Sequence, residues 1–232
     1  MSNLPQQQLT RALLACGMLA GPLFLLAVIV QDYTRPGFDP RVHPLSMLSL
    51  GELGWIQITN FVATGLLNVA FAVGLRRALH PGPGGTWGPL LIGTYGIGLV
   101  GAGVFVSDPA WGYPPGAPQG LPEDPSWHYV LHGTAFIVVM GGLIAACFVF
   151  ARRFAAQGAR GWAAYCAATG AALPMLYALA AALSDRGEDP QPLSLLLRAM
   201  AFLGWGWASV LAVRLRSTHG SARKDAHAGA SA

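Results

Sequence analysis

Charged residues are sparse along the chain, and the stretches between them are long and apolar. Twenty uncharged residues separate Arg11 from Asp32, and 23 separate Glu52 from Arg76. Thirty separate Arg77 from Asp108, 27 separate Asp124 from Arg152, and 24 separate Arg160 from Asp185. A sixth run, between Arg198 and Arg214, has 15. A helix rises about 1.5 Å per residue, so about 20 residues cross a hydrocarbon core of about 30 Å. Five runs meet that length. The sixth meets it when it starts near Leu193 and carries Arg198 in its first turns, where an arginine reaches back toward the interface by snorkelling. The runs are continuous rather than alternating over about 10 residues, which favours helices over barrel strands. Helices also satisfy their own backbone groups in lipid.

The pattern predicts an all-α polytopic membrane bundle with spans over about 11–31, 54–76, 88–107, 128–151, 161–183 and 193–214. A six-helix domain then occupies 1–215, followed by a disordered tail over 216–232. Composition agrees: 53% of the 232 residues are hydrophobic and 10% are charged, against about 25% charged in a soluble domain. Mean hydropathy is +0.47. The first run has a basic flank like a signal peptide, but its core is long and no cleavage site follows before Asp32, so it reads as a retained helix.

Six spans put both termini on one side. That side holds ten of the fourteen basic residues and one acid, Asp225; the other holds four basic residues and nine acids. The resulting charges are +9 and −5, and the positive-inside rule assigns the basic side, with both termini, to the cytoplasm. The expected setting is a multi-pass protein of a plasma membrane or inner membrane. The basic residues lie at helix ends beside anionic headgroups. No nucleic-acid-binding signature is present, so membrane lipids are the expected partners, with a membrane protein or a second copy also possible by composition. No phosphate-binding GxxxxGK[ST] element occurs.

Three loops fall on the acidic side. One runs from Asp32 to about Leu53. The second, from Asp108 to about Trp127, is dense in proline and glycine, which set turns, and its aromatics suit a lid at the interface. The third, Ser184 to Pro192, is short and acidic. Cys16, Cys147 and Cys166 all fall within spans, so they read as small apolar residues rather than as a disulfide framework.

Candidate chemistry gathers at this edge. Asp108 ends the third run; His128 and His132 open the fourth and, four residues apart, share one helical face. An imidazole at the depth of His132 needs a partner. Two histidines at this spacing with a carboxylate form a metal-ligand pattern, so Asp108, His128 and His132 are candidate ligands of a zinc ion. Ser107, Asp108 and Glu52 are the corresponding catalytic candidates for water activation against a lipid ester or amide. Without a metal, the same groups suit a lipid headgroup, a small ligand or proton relay. In the plainest reading Asp108 closes one helix and Ser126 caps the next. Asn60 and Asn68 share a face of the second span and suit either interhelical hydrogen bonds or a ligand path. Glycines in the first and third spans permit close helix approach.

The segment HPLSMLSLGELGWIQITNFVATGLLNVAFAVGLRR, His43–Arg77, resembles the second-span region of the DUF998 family. GVFVSDP, Gly103–Pro109, with HYVLHG, His128–Gly133, resembles that family's central motif, an aspartate ending one span and a histidine opening the next. The resemblance covers about residues 10 to 215 and implies a six-helix membrane architecture, with Asp108 and His128 or His132 as functional positions. It implies no reaction. A weaker similarity, to seven-helix membrane hydrolases with an HxxxH zinc motif, lacks a second histidine pair on a later helix. Three function classes follow: a ligand-binding membrane protein, with transport as one form of it; a metal-dependent membrane hydrolase; and a structural or assembly subunit.

Overall fold

The computed structural model describes residues 4–184 and 190–228. It is all-helical, and no strand forms among the described residues. The helices are α1 (Leu4–Thr34), α2 (Gly54–Leu79), α3 (Trp87–Val104), α4 (Trp127–Ala156), α5 (Arg160–Leu183) and α6 (Gln191–Ala228). Each contains a stretch long and apolar enough to cross a membrane. A short 3-10 turn, Leu45–Ser49, precedes α2. The six runs delimited by charge are these helices. α6 continues past 215 to Ala228, into the segment expected as a tail. Asp185, Glu188 and Asp189 of the third acidic-side loop lie outside the described residues, as do 229–232.

Each helix packs on its neighbours in chain order, and α6 returns to α1, so the bundle closes as a ring. Large apolar side chains face outward all round it, Leu26 on α1, Ile97 on α3, Ile137 on α4 and Met175 on α5 among them. A soluble fold would bury such faces; in a bilayer they meet lipid, and the backbone behind them is satisfied within each helix. The ring's centre is aromatic. Phe24 stacks on Trp205 with centroids 4.4 Å apart and tilts against Phe61 at 5.3 Å, while Tyr95 meets Trp205 edge-on at 5.4 Å. Trp207 is fully buried and its indole N–H points to Cys166 Sγ at 3.4 Å.

Small residues set the helix spacing. A Cβ on Gly65 would lie 2.7 Å from the Gly96 carbonyl oxygen, and one on Gly96 would lie 2.7 Å from that of Gly65. α2 and α3 therefore cross backbone to backbone. Gly17 and Gly21 of α1 do the same work toward two partners: a Cβ on Gly17 would strike the Phe71 ring of α2, and one on Gly21 would lie 2.7 Å from the Trp205 carbonyl of α6.

Hydrogen bonds identify the two ends. At the end carrying the termini, Arg77 Nε donates to Thr10 Oγ1 at 3.1 Å, Arg216 Nε donates to the Arg11 carbonyl at 3.3 Å, and Arg153 donates to the Pro83 carbonyl. The opposite end holds the two longer loops and the candidate residues.

Candidate functional site

The segment between α1 and α2 folds inward over the ring because buried arginines hold it there. Arg35, at the end of α1, is 7% exposed. Its guanidinium donates to the carbonyls of Leu48 and, at 2.7 Å, Leu53, and to Gln31 Oε1 at 3.2 Å. Gln31 Nε2 donates in turn to Gln57 Oε1 at 2.9 Å. Arg198 of α6 forms an ion pair with Asp32 of α1, 2.7 Å between Nη1 and Oδ2. The same guanidinium donates to the carbonyls of Pro40 (2.8 Å) and His43 (3.2 Å). The arginine expected to snorkel is thus paired and hydrogen-bonded inside the protein.

His43 joins the two loops. Its Nδ1 accepts from the Asp39 backbone N–H at 2.9 Å, which leaves Nε2 as the protonated nitrogen, donating to the Trp111 carbonyl at 3.0 Å. Asp39 also receives Arg41 in a bidentate contact, and these hydrogen bonds lower its carboxyl from the usual 3.8 to about 2. The second loop turns at Ala110–Tyr113, whose backbones pair, and buries Tyr113 against Phe38.

At the α3–α4 connection, Asp108 grips the start of α4. Its Oδ2 accepts the Ser126 backbone N–H at 2.7 Å, and its Oδ1 accepts the Ser126 hydroxyl at 2.6 Å. Ser126 Oγ accepts the Tyr129 N–H at 3.2 Å, the hydrogen bond of an N-cap. His132, in the second turn of α4, places Nδ1 2.7 Å from the Phe105 carbonyl at the end of α3. A carbonyl only accepts, so Nδ1 carries a proton and donates it to Phe105.

Two adjoining cavities open beside these groups. The inner one, about 100 Å³, lies at the ring's centre between Phe24, Phe61, Tyr95, Met140, Leu143, Met200 and Trp205. The Tyr95 hydroxyl is buried in that wall without a hydrogen-bond partner. The outer one, about 230 Å³, is bounded by Ser107, Asp108, Trp111, Tyr129, Gly133 and Tyr177. Pro44, Ser46, His132, Phe136 and Leu197 line both.

The structure therefore brings Ser107, Asp108 and His132 to one cavity wall and leaves the other sequence candidates apart. His128 lines neither cavity; its ring lies 3.8 Å from that of Trp127, and its Nδ1 is buried without a partner. Among the described residues no group of three or more His, Cys, Asp and Glu is gathered to hold a metal ion. The zinc grouping of Asp108, His128 and His132 is thus not assembled, because both Asp108 oxygens are drawn to Ser126 and His132 turns to Phe105. Glu52 is exposed on the loop before α2 and lines neither cavity. Asn60 donates to the Phe24 carbonyl of α1 at 3.2 Å, and Asn68 donates to the Thr64 carbonyl at 2.9 Å; both are buried outside the cavity walls. The wall residues missed from sequence are Ser46, Trp111, Tyr129 and Tyr177. Trp111 alone had a signal, as an aromatic in a loop expected to act as a lid.

A ring of six spanning helices with a cavity at one end is a multi-pass membrane protein. The family described as "Protein of unknown function (DUF998)" matches residues 18–214. The chain belongs to that family, the one its second-span and α3–α4 motifs resemble. No curated protein and no solved structure matches it.

Proposed function

We propose that this protein binds a membrane amphiphile, a lipid or a small apolar ligand with a polar group, at the loop-bearing end of the bundle. The observation that carries the reading is the pair of adjoining cavities with unlike walls. The inner wall is almost wholly apolar and aromatic, suited to a hydrocarbon tail. The outer wall adds the Ser107 hydroxyl, the Asp108 carboxylate and the Tyr129 phenol, suited to a polar group. Binding sites generally combine an apolar lining with a few placed polar groups.

Both cavities border the end with the longer loops, and neither is lined by a described residue from the opposite end. That favours binding over passage through the bundle in this conformation. We place the protein in a plasma or inner membrane, with its basic end in the cytoplasm.

The test is to fill the inner cavity. Ala201 lines it, and Ala201→Trp occupies the space a tail would need. The wild-type full chain, purified in a non-ionic detergent and extracted for mass spectrometry, is expected to retain an amphiphile in stoichiometric amount. Ala201→Trp is expected to lose it while still giving a monodisperse, cooperatively melting protein. Equal retention by both proteins would sink the proposal.

A further inference from the structure

The outer cavity has a chemical signature beyond its shape. Four aromatic side chains line it, Trp111, Tyr129, Phe136 and Tyr177, and so does one carboxylate, Asp108. Among the described residues no lysine or arginine lines either cavity, and the titratable groups in the walls besides Asp108 are His132 and the phenols of Tyr95, Tyr129 and Tyr177. His132 Nδ1 donates to the Phe105 carbonyl. The described arginines of this end are committed elsewhere: Arg198 to Asp32, Pro40 and His43, Arg35 to backbone carbonyls of the 48–53 segment, and Arg41 to Asp39.

We infer that the outer cavity recognises an organic cation, an alkylammonium group whose hydrocarbon portion extends into the inner cavity. The inference rests on the amphiphile-binding reading and specifies the ligand's charge. Aromatic faces attract ammonium groups through their quadrupoles, and cages of such rings are the recurring recognition mode for quaternary ammonium. A carboxylate at the wall adds direct Coulomb attraction, strengthened where water is scarce. Recognition of a phosphate or carboxylate calls for arginine or lysine, which no described wall residue supplies, and the Asp108 charge repels such a group. Asp108 spends one hydrogen bond per oxygen on Ser126. A carboxylate has about four lone-pair sites, so Asp108 can hold the capping Ser126 and keep lone pairs for a cation.

The experiment is calorimetric titration of the full chain in maltoside micelles, with protein-free micelles subtracted. Four short probes are compared: hexyltrimethylammonium, hexanol, hexyl sulfate and dihexanoylphosphatidylcholine. Wild type is expected to bind the ammonium probe about tenfold more tightly than hexanol, with hexyl sulfate weakest. Asp108→Asn keeps an acceptor and a donor toward Ser126 while removing the charge, and is expected to cut the preference for the cation over hexanol several-fold. Tyr177→Leu, away from the cap, is expected to do the same through loss of a ring. The phosphatidylcholine arm separates two sources of the same chemistry. Binding equal to that of the ammonium probe identifies a lipid headgroup, and weaker binding a free organic cation; both support the cage. Hexyl sulfate binding as tightly as the cation, or a preference that survives in both variants, overturns the inference and leaves the amphiphile reading standing. No binding of any probe overturns both.

Discussion

Arg198 and Asp32 tie α6 to α1 through side chains that are 10% and 12% exposed. Arg198 also lies 5.6 Å from the Phe38 ring and holds the carbonyls of Pro40 and His43. One guanidinium thereby fastens two helices and the loop that walls the cavities. Breaking a buried pair from one side leaves a charge without its partner, a loss of roughly 3–5 kcal/mol, whereas replacing both members with apolar groups is often close to neutral. Asp32→Leu and Arg198→Met are each expected to lower unfolding stability by about 3 kcal/mol, and the double variant to recover much of that loss. Titrating unfolding with a denaturing detergent measures all four corners of the cycle; additive losses would contradict the pairing. Asp39 offers a smaller, exposed test. Its carboxyl is held at about 2 against an ordinary 3.8 by the Arg41 side chain and backbone. A depressed folded value means the stabilisation is present above about pH 3.8 and is lost as pH falls through about 2. The melting advantage of wild type over Asp39→Asn is therefore expected to be constant near pH 5 and to fade below 4; an advantage that grew on acidification would contradict this sign.

At the scale of elements, helix spacing depends on where glycine carbonyls face glycine. The Gly65–Gly96 crossing has no room for a methyl group on either side, while a Cβ on Gly141 of α4 meets nothing within 4 Å and the position is exposed. Gly96→Ala is expected to force α2 and α3 apart and cost about 1–3 kcal/mol. Gly141→Ala is expected to be neutral or stabilising by up to about 1 kcal/mol through helix propensity. Thermal melts of both in one detergent check the contrast, and equal losses would contradict it. The spans themselves were readable in the sequence, because burying charge in lipid is costly and the charges therefore mark the helix ends. α3 ends at Val104, three residues before the expected 107, because Phe105 turns its carbonyl to His132. The glycines announced close approach, but their partners depend on how the ring closes. The site was half legible for the same reason. Asp108, Ser107 and His132 stand out as polar groups beside apolar runs. Trp111, Tyr129 and Tyr177 look like ordinary interfacial aromatics until the α1–α2 and α3–α4 loops bring them to one wall. His128 matched a ligand spacing, yet its ring packs against Trp127 while that of His132 turns to the Phe105 carbonyl.

The whole molecule combines a charge asymmetry with a structural one. The end that anchors Arg77, Arg153 and Arg216 to neighbouring backbone and side chains has short connections. The opposite end has the folded loops and both cavities. Exposed aromatics lie near both ends, Trp87 at the start of α3 and Trp55 and Trp127 at the starts of α2 and α4. Those are the levels at which indole rings settle in a bilayer. With the basic end in the cytoplasm, as the positive-inside rule has it, the cavities would open toward the outer leaflet and the amphiphile proposed above would enter from that side. Cysteine labelling decides the point, because the native cysteines fall within helices. Gln119 in the α3–α4 loop and Gln157 between α4 and α5 are both exposed. With a membrane-impermeant maleimide, Gln119→Cys is expected to react on intact cells, or on intact spheroplasts of a host with an outer membrane. Gln157→Cys is expected to react only after lysis. The reverse pattern would turn the cavities toward the cytoplasm, where an amphiphile would enter from the inner leaflet.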